Sequence, residues 1–194
     1  MKNILVIVGS GLKNCNTDKL ADAFIKGASE AGHSVTKMFL GDKTINGCIG
    51  CNACRWGKPC VQKDGMQDIY PLYAKSDMVV LASPLYFWTI SARLKAFLER
   101  LYAVAEEDDN PPKGRYEKHA EKDCALLMTA ADDLFWTFEQ AVSYYRFNCV
   151  NYLGWHDKGM VLVGGCGGSP TKRCIEETGR LKEAYSFGKR LDLE

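Results

Sequence analysis

Charge of one sign is scarce in this chain of 194 residues: 25 Lys and Arg stand against 24 Asp and Glu, leaving a net of +1. No basic run exceeds a scattered pair, which removes nucleic acid and anionic membranes from the expected partners. A long apolar run is also missing. The first stretch, Ile4 to Val8, stops at Gly9 and is followed by polar residues without a small-residue cleavage site, and nothing else approaches the roughly 20 residues of a membrane span. A cytoplasmic location is expected. Histidines number only three. His156 lies in Trp155-His156-Asp157 with no serine or cysteine nucleophile motif beside it, so this reads as a surface turn; His33 and His119 read as solvated. Nine cysteines, an odd number, argue against a disulfide framework and for thiols or metal ligands in a reducing compartment.

Two nucleotide signatures are absent as well. A Walker loop ends in Gly-Lys-Ser/Thr, and this chain offers Cys15-Asn16-Thr17 with no lysine before the hydroxyl, which disfavours ATP and GTP. The dinucleotide fingerprint needs three glycines, and Gly9-Ser10-Gly11 is followed by Asn14 where the third belongs. What is there is an apolar strand, Ile4 to Val8, running through a polar loop into a helix that starts near Asn16 and carries Leu20, Ala23, Phe24 and Ala28 at helical spacing. The open amides and positive dipole end of such a helix attract an anion. Ser10, Asn14, Asn16 and Thr17 can donate to phosphate oxygens and Lys13 can add charge. Such a loop suits a terminal monophosphate, which offers more acceptor oxygens than a pyrophosphate bridge.

Strands and helices alternate along the rest. Ser34 to Leu40 reads as a second strand, Met66 to Lys75 as a helix and Asp77 to Ala82 as a buried strand. A long helix carries Ile90, Leu94, Phe97, Leu98, Leu101, Val104 and Ala105 on one stripe, flanked by Arg93, Lys95, Glu99 and Arg100. A surface loop from Asp108 to Gly114 follows, then a strand from Cys124 to Ala130, a helix from Asp132 to about Tyr152, a strand from Gly159 to Gly164 and a closing helix from Thr171 to Leu191. This predicts a single domain over residues 1–194, an α/β three-layer, doubly wound, five-stranded parallel sheet of order 2-1-3-4-5. In that order the loop after Ala82 faces the phosphate loop. It reads Ser83-Pro84-Leu85-Tyr86-Phe87-Trp88-Thr89, and so many large apolar side chains cannot all turn into the core from one loop. A monophosphate at one end and a flat apolar ring at the other describe flavin mononucleotide.

The string from Ser83 to Arg100, with Gly9-Ser10 and Asn16-Thr17 upstream, resembles the NAD(P)H-dependent FMN reductases of flavodoxin-like fold. The resemblance implies that Ser10, Asn16 and Thr17 hold the phosphate, that Pro84, Leu85, Tyr86, Phe87 and Trp88 pack on the isoalloxazine, and that Thr129, Ala131 and their neighbours up to Asp132 close its other side. The chain departs from the family in having Gly11 and Leu12 where proline and arginine are common, and Cys15 in place of glycine.

Cys48, Cys51 and Cys54 stand at Cys-x2-Cys-x2-Cys spacing in a cysteine-rich loop, residues 46–64, with Cys60 following. This run is too compact for the two separated ligand pairs of a usual zinc site. It matches the loop that wraps three corners of a cubane cluster, with Cys60 as the fourth corner, and the spacing resembles that of the iron-sulfur flavoproteins. The expectations are a [4Fe-4S] cluster or a loop of free thiols. Cys124 and Cys149 read as core residues.

A second apolar stripe on the helix after Asp132, made of Trp136, Tyr144 and Phe147, suggests a homodimer or homotetramer. The function expected is an FMN-dependent NAD(P)H oxidoreductase passing electrons to a quinone, flavin, oxygen or the cluster. Because the cofactor carries the chemistry, no catalytic side chain is expected. The alternatives are a non-enzymatic flavodoxin-like or iron-sulfur electron carrier, which the neutral charge disfavours, and a phosphate-binding regulator.

Overall fold

The computed structural model describes residues 1–107, 117–167 and 174–191. The expected loop from Asp108 to Gly114 and the start of the closing helix at Thr171 lie outside the described residues. Five strands form one parallel sheet: β1 Asn3–Val8, β2 Ser34–Phe39, β3 Met78–Pro84, β4 Asp123–Thr129 and β5 His156–Val163. Their order, β2-β1-β3-β4-β5, is the flavodoxin-like one expected.

The strands read as continuous apolar runs because both faces of the sheet are covered. Leu5, Ile7, Val79, Leu81, Leu126 and Met128 pack with residues of α2 (Met66–Lys75), α3 (Ala92–Glu99) and α4 (Glu139–Tyr145). Ile4, Val6, Val80, Ala82 and Leu127 pack with residues of α1 (Asn16–Glu30) and α5 (Arg180–Lys189). Register then positions the loops. Val8 pairs with Ala82, and Pro84 with Thr129, so β1, β3 and β4 end on one rim where the direction of connection reverses. Among the described residues no helix is long and apolar enough to cross a membrane.

Helices α1 and α5 pack closely against each other at two glycines. A Cβ on Gly27 would lie 2.0 Å from the Tyr185 carbonyl oxygen, and one on Gly188 would lie 2.2 Å from that of Phe24. Gly27→Ala would gain about 0.5–1 kcal/mol of helix propensity, but the obstacle is backbone on a packed partner, which cannot rotate away. Overpacking of this kind costs about 1–3 kcal/mol or more. The expected result is a net loss of about 2 kcal/mol, read as a lower urea midpoint at unchanged slope.

Several sequence expectations are corrected. The long helix after β3 gives way after Glu99 to a 3₁₀ turn, Arg100–Val104, and then to a two-residue antiparallel ladder, Glu106–Glu107 with Glu117–Lys118. The helix expected from Asp132 begins only at Glu139 and widens into a π-helical segment, Arg146–Tyr152. Phe135, which helical spacing from Asp132 would place on the core face of that helix, belongs instead to an exposed loop. The closing helix is interrupted at Gly179, whose φ of 71° follows a 3₁₀ turn, Ile175–Thr178. Trp155-His156-Asp157 is no surface turn: Trp155 is fully buried and His156 starts β5. The Tyr145 hydroxyl donates to Asp157 Oδ1 at 2.8 Å and lies 3.0 Å from Cys124 Sγ. Burial pushes the Cys124 thiol up to about 12, in keeping with an inert core cysteine. His33 and His119 are buried, and His33 Nδ1 accepts from the Lys2 amide at 3.2 Å.

Candidate functional site

The phosphate loop is tied to its neighbours before any ligand enters. The Gly9 amide donates to the Ala82 carbonyl at 2.8 Å, and the Ser91 hydroxyl donates to the Gly9 carbonyl at 2.8 Å. Ser91 also caps α3, its Oγ accepting from the Leu94 amide at 3.3 Å. Glycine is required at position 9, since a Cβ there would stand 2.7 Å from Ser91 Oγ and 2.9 Å from Leu94 Cβ.

Side chains of the expected phosphate set are largely engaged within the protein. Ser10 Oγ serves its own turn, accepting from the Leu12 amide at 3.2 Å and donating to the Leu12 carbonyl at 3.0 Å. Lys13 pairs with Asp42 and its Nζ lies 5.5 Å from the centre of the Phe39 ring, on the β2 side of the loop. Asn14 adopts φ 58° and its amide donates to Asp18 Oδ2 at 2.9 Å. Asn16 Oδ1 accepts from the Ile175 amide at 3.2 Å. What remains open is the backbone: α1 begins after Cys15 with no side-chain cap. Its first-turn amides are free for an anion.

Thr17 turns the other way. Its hydroxyl lies 2.6 Å from that of Thr129, and both residues are buried. The Thr129 carbonyl in turn accepts from the Leu85 amide at 2.8 Å. One residue at the end of β4 thus joins the start of α1 to the loop after β3. Ala131 follows on the exposed side of the same rim.

In that loop, Pro84 ends β3 and Leu85 folds back against the core. Tyr86, Phe87 and Trp88 face outward. The Tyr86 amide donates to the Thr89 carbonyl at 3.0 Å, and the Thr89 amide to the Tyr86 carbonyl at 3.2 Å. Between them Phe87 and Trp88 take φ values of 47° and 58°. Consecutive left-handed residues make the tight turn that favours Asn-Gly, and bulky side chains there are strained. Trp88 is held by stacking on Trp136, ring centres 6.1 Å apart at 30°. Phe87 is 94% exposed, so burial does not compensate its strain. Phe87→Gly is expected to leave stability intact or raise it by up to about 1 kcal/mol, checked by a thermal melt.

A second constellation lies at the far end of α3. Cys48, Cys51, Cys54 and Cys60 all line one cavity of about 230 Å³, together with Glu99, Arg100, Tyr102 and Ala103. Among the described residues no three Cys, His, Asp or Glu side chains converge as a single metal ion requires. The four cysteines share the lining of this cavity. Left-handed Gly50, Asn52 and Gly57, with φ between 58° and 71°, coil the loop tightly. Burial pushes the Cys54 thiol up, and the nearby Cys48 and Cys51 sulfurs add to the rise.

The neck of this loop is closed by Arg100, which is 1% exposed. Its Nη1 donates to Asp64 Oδ2 at 2.6 Å and to the Asn46 carbonyl at 3.0 Å, and its Nη2 to Cys60 Sγ at 3.3 Å. Asp64 also accepts from the Asn46 and Met66 amides, both at 3.1 Å. Burial alone would raise the Asp64 carboxyl, but the guanidinium and these two amides outweigh it and hold it below the usual carboxylate range. Glu99 Oε2 accepts from the Cys48 amide at 3.0 Å. Sequence reasoning placed Glu99 and Arg100 on the flank of a helix and gave no role to Asp64 or Ser91. Only the Ser91-x-x-Leu94 spacing before an apolar stripe, typical of a helix cap, offered a signal.

Residues 2–133 match the NADPH-dependent FMN reductase family. The chain belongs to it. Relatives include an iron-sulfur flavoprotein of Archaeoglobus fulgidus, 39% identical over 95 residues that make up 49% of this chain and 43% of the relative. Another, from Methanosarcina thermophila, is 33% identical over 94 residues, 48% of this chain and 49% of the relative. The chain spans about half the length of these curated relatives. Among solved structures an NAD(P)H:quinone oxidoreductase from Methanothermobacter marburgensis is similar with a TM-score of 0.71 at 15% identity, covering 98% of this chain and 96% of that one. That likeness is one of fold. In this member of the FMN reductase family, the loop between β1 and α1 and the aromatic turn fall inside the matched residues, as does the whole cysteine loop.

Proposed function

We propose that this chain is an FMN-dependent oxidoreductase that takes electrons from NAD(P)H and passes them to a small acceptor such as a quinone, a flavin or oxygen, or to a [4Fe-4S] cluster in its cysteine loop. The observation that carries the reading is the contact of Thr17 with Thr129 and of Thr129 with Leu85, which makes the phosphate loop and the aromatic turn two edges of one site. The donor set fits FMN: an uncapped helix start at one edge and outward aromatic side chains at the other. When bound, FMN supplies hydride acceptance and onward electron transfer. The chain's own residues bind and orient. First-turn amides of α1 take the phosphate, Tyr86 to Trp88 present a flat apolar wall, and the strained turn fixes the wall against Thr129. Residues from Thr129 to Asp132 border the opposite side of the site. No side chain is asked to move a proton.

The donor set of the cysteine loop suits a cluster, since four cysteines at compact spacing line one cavity. Cys48, Cys51, Cys54 and Cys60 would hold it, and the names of the relatives support this. Leu134, Phe135 and Phe147 are exposed, and a second copy of the chain is the cover proposed for them; light scattering at micromolar concentration tests that.

Anaerobic addition of NADH or NADPH to the FMN-loaded protein tests the main reading. Flavin absorbance should bleach within seconds. A flavin that stays oxidised with both donors would leave the electron-carrier reading, which the cysteine loop favours.

A further inference from the structure

The lysine side chains around the loop that precedes α1 are committed to acidic partners. Lys13 pairs with Asp42. Lys37 reaches Asp18 at 2.7 Å and Asp22 at 2.6 Å, and Lys19 pairs with Glu176. Three lysines thus face four carboxylates, one of which, Asp18, is buried in the first turn of α1. A dianion placed there meets a local excess of negative charge, which backbone amides alone offset weakly.

Arg93 supplies what is missing. It lies two residues after Ser91, the residue that ties α3 to the loop through the Gly9 carbonyl. Its guanidinium lies against the loop: a Cβ on Gly11 would sit 3.1 Å from one terminal nitrogen, 3.4 Å from Cζ and 3.6 Å from the other nitrogen. A side chain at position 11 would press on the guanidinium and push it aside. Among the described residues Arg93 makes no hydrogen bond or ion pair, and it is exposed. An unpaired planar fork over a phosphate loop suits bidentate contact with a phosphate monoester.

We propose that Arg93, reaching from α3, is the residue that neutralises the 5′-phosphate of FMN in this chain, in the role that Leu12 cannot fill. This rests on the reading of the site as an FMN site. The test compares FMN with riboflavin, which has the same ring and no phosphate, by fluorescence titration of the flavin-free protein. The unaltered protein should prefer FMN. Arg93→Gln should lose roughly tenfold to a hundredfold in FMN affinity with riboflavin affinity unchanged, and the remaining FMN affinity should depend less on salt. Arg93→Gln combined with Leu12→Arg should regain part of the loss. Gly11→Ala, which displaces the guanidinium and leaves its charge, should weaken FMN several-fold and riboflavin not at all.

An unchanged preference for FMN in Arg93→Gln overturns the proposal, as does an equal loss for both flavins, which would mean that Arg93 only shapes the loop. A shift confined to the choice between NADPH and NADH overturns it in favour of the nicotinamide's phosphate. If the unaltered protein binds neither flavin, the reading of the site falls first, and that result is distinct from the others.

Discussion

Arg100→Met is expected to destabilise the protein by about 3–5 kcal/mol, the cost of removing one partner from a buried ion pair. The side chains of Arg100 and Asp64 are 1% and 8% exposed, and their contact is 2.6 Å. Without the guanidinium, Asp64 keeps only its two amide partners, and the Asn46 carbonyl and Cys60 sulfur lose a donor. Arg100→Lys should recover only part of this, because a single ammonium cannot reach Asp64, the Asn46 carbonyl and Cys60 with the geometry of a planar fork. The effect should be local as well as global, with the 46–64 loop becoming the first site of limited proteolysis.

The sign of its pH dependence follows from Asp64. Its folded carboxyl titrates below the usual range, so the associated stability is present above the unfolded value of about 3.9 and fades as pH falls through the folded value. Urea midpoints at neutral pH and near pH 3 should show the unaltered protein losing this contribution in acid. Asp64→Asn should lack that part of the acid loss. Equal acid sensitivity in the two proteins would show that the pair contributes nothing.

The second large effect concerns iron. Protein reconstituted anaerobically should carry about four irons and four sulfides per chain, and Cys51→Ser or Cys54→Ser should reduce both to near zero with FMN affinity unchanged. The independence follows from geometry. Ser91 stands by the phosphate loop and Glu99 by the cysteines, so the length of α3, about 12 Å at 1.5 Å per residue, separates the two sites. Parallel loss of flavin would refute that separation. Iron-free but properly reconstituted unaltered protein would leave the four cysteines as free thiols.

The sheet and its order were legible because each strand carries an apolar run bounded by turn residues, and a parallel sheet covered on both sides leaves that mark in sequence. The two loops proposed to hold the flavin were legible through their odd composition: hydroxyls and amides in one, aromatics in the other. Arg100 was not, because its partners lie 36 to 54 residues earlier in a loop without periodicity, and on a helix wheel it resembles any solvated flank. The late start of α4 was hidden for a related reason. Leu134, Phe135 and Trp136 extend the helical apolar spacing, yet they belong to an outward loop in which Trp136 stacks on Trp88. His156 and Asp157 looked like turn residues by type, whereas Tyr145, from another element, gives Asp157 a partner that no local pattern announces.

Because residues 47 to 63 lie between Asn46 and Asp64, both held by Arg100, and are tied to the body of the protein by α3's last residue Glu99 and by Arg100, the segment is an appendage whose length can drift without disturbing the sheet. Doubling such a loop costs only about 0.6 kcal/mol in closure entropy. Descendants of one ancestor could therefore acquire or discard the cysteine loop as a unit, each keeping the same five-stranded frame.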